Sequence, residues 1–435
     1  MPTLPPFPSY KPSGIDWLGG VPEHWEVART DYYLTETRNS VSQELLRGKK
    51  VFHYSIPAVQ EVGNGIVEDG ENIDSSKTVI NTTTLLISKL NPRKGTIIVA
   101  HPSKYLTVCS GEFIPLVPDG MEINYAEYIY KSEAIRQLLA SQVVSVTKSH
   151  QRVKPDQIKK IWWAFPPLPE QHTIADFLDR QTAKIDDLIA KKEQLIARLK
   201  EKRQAVITQA VTKGLDSTVP MKDSSIDWLG DVPEHWEVKR LKYLADLLNG
   251  YAFDSQTYVD DGIPIIRIGD VSTDIKWDEV KRVPHELGVE LKRFLVEKHD
   301  ILLALTGATI GKSSSFRYDQ SALLNQRVGI IRANKINQRL LSYFVLSASF
   351  SKVIDFLCYG GAQENIGREE VGGISISLAA AVEQEAIADF LDRKTTTIDA
   401  LVAKVETALG ILKEYRTALI TAAVTGKIDV RGEGE

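Results

Sequence analysis

Cysteine is nearly missing from this sequence: Cys109 and Cys358 are the only two in 435 residues. They stand far apart and in no metal-ligand spacing, which excludes a disulfide scaffold, argues against zinc and suits a reducing compartment. Both are expected to be buried thiols. Long apolar runs are missing too. Stretches such as Ile301–Leu305 and Val328–Ile331 fall far short of the roughly 20 residues a membrane span needs. The opening MPTLPPFPSYKPSG lacks the charged-then-apolar pattern of an export signal. The expected setting is therefore cytoplasmic, with no membrane partner. Neither sign of charge dominates: the formal net charge of −4 does not by itself announce a binder of nucleic acid. Residues 28–160 are nonetheless slightly basic and 239–380 close to neutral, so the negative charge lies mostly outside these two stretches.

Catalytic signatures are absent as well. The sequence contains no GxGxxG, HExxH, GxSxG or CxxC, and His24 and His235 sit where packing is the default role. GATIGKS (Gly307–Ser313) follows a strand-like run and suggests a phosphate loop, but it has three residues between its glycine and the Gly-Lys where that motif needs four. NPRK (Asn91–Lys94) lacks the second proline and the aromatic ring by which amino-methyltransferases hold a flipped base. The chain is expected to catalyse nothing and to hold no cofactor or metal.

What is present is repetition. IDWLGGVPEHWEV (Ile15–Val27) returns as IDWLGDVPEHWEV (Ile226–Val238), an offset of 211 residues. A longer pair follows: EQHTIADFLDRQTAKIDDLIAKKEQLI… from Glu170 to Gly214 matches EQEAIADFLDRKTTTIDALVAK… from Glu383 to Lys427, offset by 213. The chain is thus a tandem of two units, each a tryptophan-containing lead, a variable block and a long helix. Trp17, Leu18, Val21, Pro22 and Trp25 are too irregularly spaced for one face of a helix or strand. They predict an extended, proline-turned strap whose two tryptophans dock on an apolar surface.

The helices follow from periodicity. Steps of four and three from Ile174 give Leu178, Gln181, Ile185, Leu188, Lys192, Leu195, Leu199, Lys202 and Val206; the same steps from Ile387 meet only one polar residue, Lys394. A 3.5-residue repeat of this length is a coiled-coil seam, and at 1.5 Å per residue each helix would reach about 60 Å. Pro169 marks a start, and Gly214 and Gly426 mark ends. The stripe calls for a partner, either the other copy, paired antiparallel with a block at each end of a rod, or a second chain.

Between these elements both blocks mix strand-like runs with turns. The first has Thr84–Leu90, Gly95–Ala100 and Glu112–Val117, then an amphipathic stretch at Tyr125–Leu139; the second has Ile263–Val271, Asp300–Leu305 and Arg327–Arg332, then Ile336–Phe356. The expected class is α+β: two mixed modules separated by two long antiparallel coiled-coil helices, in a pseudo-two-fold tandem repeat. The expected boundaries are 1–165 (strap and first module), 166–216 (first helix), 217–378 (second strap and module) and 379–435 (second helix and tail).

Polar and basic loops recur at matching places in the blocks. They supply Lys89, Asn91, Arg93 and Lys94, then Lys148, Ser149, Gln151 and Arg152 in the first block. In the second they supply Thr306, Thr309 and Lys312, then Asn325, Gln326 and Arg327, then Gln363, Asn365 and Arg368. Arg, Lys, Asn and Gln are the side chains that make bidentate contacts to guanine and adenine edges, so these are the candidate DNA-binding residues.

At this point the sequence resembles the specificity subunit of type I restriction-modification systems. The resemblance spans nearly the whole chain. It is carried by PPLPEQHTIADFLDRQTAKIDDLIAKKEQLI, its echo EQEAIADFLDRKTTTIDALVAK, the doubled IDWLG.VPEHWEV, and GIPIIRIGDV, LTGATIGK and LNQR in the second block. It implies two target-recognition domains, each reading one half of a split site on double-stranded DNA. The helices would act as spacer and docking surface for two methyltransferase subunits, with restriction and motor subunits as further partners. S-adenosylmethionine, ATP and Mg would belong to those partners. The first block carries SKLNPRKG where the second has LTGATIGKS and has no counterpart of GIPIIRIGDV, so the two half-sites should differ. The competing reading is a coiled-coil scaffold with two protein-binding domains.

Overall fold

The computed structural model describes residues 4–145, 151–272, 274–359 and 365–433. The chain divides into two compact units, one of Met1–Glu193 with Thr407–Glu435 and one of Gln194–Glu406. The division falls inside both long helices, Leu168–Lys213 and Ala381–Val424, so each unit is built from the first half of one and the second half of the other.

In the first unit a four-stranded antiparallel sheet runs in the order Ile97–Ala100, Thr84–Ser88, Phe113–Pro118, Leu34–Glu36. All five residues of Thr84–Ser88 are buried, because alternate side chains enter different cores. Leu85 and Ile87 join the helices Ile123–Lys131 and Glu133–Ser141, while Leu86 joins Tyr54, Ile80 and Cys109 on the other side. A second sheet contains a parallel pair, Leu106–Cys109 beside Lys50–Tyr54.

The second unit repeats the plan with other residues. Its antiparallel sheet runs Ser313–Ser315, Ile301–Ala304, Val328–Ala333, Ala245–Asn249, and its parallel pair is Ile263–Ile266 beside Ala322–Leu324. Ile301 and Leu303 face the helix-side core and Leu302 the other. Even the helix–helix corners agree: Ser132 Oγ donates to Ile129 O and Ser347 Oγ to Phe344 O, each at 2.6 Å. The two blocks therefore share one α+β fold despite sequences with no obvious identity.

The helices pair antiparallel within each unit. Arg416 Nε reaches Asp186 Oδ1 at 2.8 Å and Lys413 reaches Glu193 at 3.2 Å in the first. Arg203 Nε reaches Asp399 Oδ1 at 2.8 Å and Lys200 lies 3.7 Å from Glu406 in the second. These are the same pairs under the 213-residue offset. Exposed pairs contribute little stability, so their role is to fix direction and register. Pro169 falls in the first turn, where its missing N–H is no loss, and Gly214 and Gly426 end the helices with φ of +76° and +68°.

The seam departs from the periodic expectation. Ile174, Leu178 and Ile185 are buried, but Leu188 and Leu195 are 45% and 42% exposed while Ile189 and Ile196 are half-buried. A straight helix drifts about 20° per heptad from a 3.5 repeat, and two heptads carry the stripe onto the neighbouring residues.

The straps explain the first repeat. Each is held by a short two-stranded ribbon, Tyr10–Pro12 with Gly20–Pro22 and Met221–Asp223 with Asp231–Pro233. Trp25 and Trp236 are fully buried against the start of one helix and the end of the other. Trp17 also docks on an apolar surface, lying tilted on buried Trp163, but unlike Trp25 it stays 39% exposed. Cys358 corrects the expectation of two buried thiols, since it is half-buried whereas Cys109 is buried. Among the described residues no single helix is long and apolar enough to cross a membrane.

Candidate nucleic-acid interface

The polar loops converge because three backbone segments meet at the end of each module's central buried strand. In the first unit Lys89 N donates to Glu112 O at 2.9 Å, Asn91 N to Gln151 O at 2.9 Å, and Val153 N to Lys89 O at 3.0 Å. This brings the loop holding Lys89, Asn91, Arg93 and Lys94 beside Gln151 and Arg152, residues some 60 positions later. Lys148 and Ser149 lie outside the described residues.

In the second unit Leu305 N donates to Arg327 O at 3.0 Å and Ile366 N to Leu305 O at 2.9 Å, with Thr306 bridged to Asn365. Thr306, Arg327 and Asn365 therefore come together. Asn325 and Gln326 are anchored from a different side, through Tyr251: Gln326 N donates to Tyr251 O at 3.0 Å. Thr309 and Lys312 are exposed in the hairpin loop, and Arg368 is exposed at the start of the short helix Arg368–Gly373. Gln363 lies outside the described residues.

SKLNPRKG and LTGATIGK are one structural element. Each links two antiparallel strands through a 3-10 turn, Pro92–Lys94 or Gly307–Thr309, with two left-handed residues four positions apart: Asn91 and Gly95 on either side of the turn in one, Gly307 opening the turn and Gly311 just beyond it in the other. The backbone N–H groups of Ile310, Gly311 and Lys312 donate inside this turn, to Gly307, Ala304 and Thr309. A phosphate cradle needs such groups free, and a strand rather than a helix follows, so GATIGKS is a hairpin and not a nucleotide loop.

Electrostatics differ between the modules. Arg152 Nη2 lies 2.6 Å from Glu112 Oε1, a charge-assisted bond on a side chain still 62% exposed. Arg93, Lys94, Lys312 and Arg327 form no ion pair among the described residues. Sequence reading missed Glu112, and also Arg136, which supports the first hairpin by donating from Nη2 to Arg93 O at 2.7 Å. It missed Tyr251 as well. A glutamate and an arginine 40 positions apart give no local signal; only strand pairing brings them together.

The strap–helix junctions form the second set of repeated contacts. Trp25 Nε1 donates to Glu170 Oε1 at 2.9 Å and His24 Nε2 lies 2.7 Å from Glu170 Oε2; Trp236 and His235 meet Glu383 at 3.0 Å each. The next residue of each helix is tied in the same way: Gln171 accepts from Glu122 N at 3.0 Å and Gln384 from Asn337 N at 2.8 Å. Tyr128 and Tyr343 donate to Asp179 and Asp392 at 2.7 Å. Burial pushes the Tyr343 phenol up to about 12, with the Asp392 carboxylate adding to it.

Two modules of one fold, tied identically to paired helices but carrying different exposed polar side chains, define a tandem recognition protein. Residues 30–198 and 233–407 match the family of type I restriction modification DNA specificity domains. The chain belongs to that family, carries two of its domains in tandem, and serves DNA sequence recognition in a type I restriction-modification system. It is 25% identical over 431 residues to the type I restriction enzyme MjaVIII specificity subunit of Methanocaldococcus jannaschii, covering 97% of each chain. It is also 25% identical over 282 residues to the EcoBI specificity subunit of Escherichia coli, covering 62% of this chain and 59% of that one. Among solved structures it resembles a chain from work on complex assembly and conformational transition of the type I R-M system, with a TM-score of 0.73 at 15% identity, over 94% of this chain and 99% of the other.

Proposed function

We propose that each module reads one half of a bipartite site on double-stranded DNA, that the paired helices set the unread gap, and that the chain positions two methyltransferase subunits without catalysing a reaction itself. The observation that carries this reading is the duplicated junction: one backbone frame presents Arg152 and Glu112 in one unit and Asn365 and Arg327 in the other. A shared frame with unlike contents suits two unlike half-sites.

Within this reading the hairpin loops supply sequence-independent charge. Lys94 and Lys312 are exposed cations on short turns, fit for phosphate contacts that fix register on the duplex. The exposed helix residues supply the docking surface. Leu188 and Leu401 occupy equivalent positions and are 45% and 43% exposed, apolar area suited to partner helices. S-adenosylmethionine belongs to those methyltransferase subunits, and ATP with Mg to the restriction and motor subunits.

Co-expression with a methyltransferase subunit of the same system in a methylation-free host, followed by genome-wide mapping of methylated bases, tests the proposal. It expects two short unlike sequences around a fixed unread gap. Absence of any motif, with the two proteins co-purifying, would instead favour a scaffold that binds proteins through its modules.

A further inference from the structure

The hydrogen bonds of the two junctions align the modules residue by residue. Lys89 and Leu305 each donate from N to the strand opposite, to Glu112 O and Arg327 O, and each accepts from the returning segment, from Val153 N and Ile366 N. Glu112 and Arg327 therefore occupy one position of the frame. Arg152 and Asn365, the bridge partners of Leu90 and Thr306, occupy another.

We infer that these two positions determine the specificity of each module: Arg152, held by Glu112, fixes a guanine in one half-site, and Arg327 and Asn365 fix a guanine and a nearby adenine in the other. The inference rests on the DNA-reading proposal above and names the residues that would perform it.

The frame at these positions is held across sequence-distant segments. Glu112 and Arg327 accept backbone hydrogen bonds from Lys89 and Leu305. Arg152 and Asn365 stand beside residues bonded to the same strand ends, Gln151 and Val153 in one unit and Ile366 in the other, the mounting that base reading needs and that phosphate contact does not. On that frame the chemistry differs between units while the geometry is kept. Arg327 and Asn365 are both exposed, and their side chains form no hydrogen bond among the described residues. Arginine offers two parallel donors to O6 and N7 of guanine, and asparagine matches N6 and N7 of adenine. In the first unit Glu112 takes the place of Arg327: its Oε1 holds Arg152 Nη2 at 2.6 Å, and its Oε2 is buried with no hydrogen-bond partner among the described residues. Glu112 is thus a positioning residue. It holds one edge of the guanidinium and leaves the other donors of Arg152 for a base.

The test uses the full chain purified with its methyltransferase subunits and selection from randomised duplexes. Arg327→Ala should abolish preference at one guanine, lowering discrimination there by about 10- to 100-fold, and Asn365→Ala should relax an adenine in the same half. Arg152→Ala should relax a guanine in the other half, and Glu112→Gln should weaken preference at that same guanine by a smaller factor. Lys312→Ala should weaken binding to all sequences alike and reduce the salt slope by about one. The undisturbed half of each selected site certifies that the variant is folded and assembled. Retention of every fixed base by both Arg152→Ala and Arg327→Ala would overturn the inference, as would equal relaxation of both halves. Failure of the unmodified complex to select any sequence would overturn the DNA-reading proposal on which it rests.

Discussion

Trp25 and Glu170 are 145 residues apart in the chain, yet the indole nitrogen donates to the carboxylate at 2.9 Å. Trp236 and Glu383 repeat the contact at 3.0 Å across 147 residues. The strap repeat and the helix repeat are therefore two sides of one joint, which is present in both units.

Replacing Glu170 by Ala strands a buried indole N–H, and the expected loss is about 1–3 kcal/mol. Glu383→Ala should cost less, because the Glu383 side chain is 32% exposed against 9% for Glu170 and water can take its place. Glu170→Gln keeps an acceptor and should fall between the unmodified chain and the alanine variant. Urea midpoints of the three variants check the order.

The helix ends give a second ordered pair. Gly426 has φ +68°, and a Cβ there would lie 2.4 Å from Pro22 Cδ, whereas at Gly214, φ +76°, the nearest atom would be Trp236 Cζ2 at 3.2 Å. Both alanine variants suffer a left-handed backbone cost of about 1–2 kcal/mol. Gly426→Ala adds a clash with a proline ring that cannot turn away, so its melting temperature should drop further than that of Gly214→Ala.

Thiol chemistry separates the two cysteines. Burial pushes the Cys109 thiol up to about 12, so at pH 8 almost none of it is thiolate. Cys358 is only half-buried, with its thiol raised first by desolvation and then by Asp355. Alkylation of the native protein followed by mass spectrometry should label Cys358 first, and Cys109 only after denaturation. Equal rates would contradict the described packing around Cys109.

Much of this architecture was legible in the sequence because it depends on local periodicity. The long helices begin within two residues of Glu170 and Glu383, and the central strands fall inside the apolar runs Thr84–Leu90 and Asp300–Leu305. Leu188 and Leu195 were misplaced on the seam because a strict heptad ignores helical drift. That SKLNPRKG stands where LTGATIGK does was legible, but that they share one turn was not, because the likeness resides in backbone conformation: an asparagine and a glycine both adopt the left-handed turn at Asn91 and Gly307. The role of Glu112 was hidden for another reason. Its partner is brought to it by the pairing of three strand ends, which no spacing rule anticipates.

Removing one heptad tests most directly the proposal that the paired helices set the gap between the two half-sites. Deleting Lys191–Ala197 keeps the phase of the first long helix but shortens it by about 10 Å. Mapping the methylated sites of this variant beside those of the unmodified chain should give the same two half-site sequences with a narrower unread gap. The same half-sites at the original gap would contradict the account.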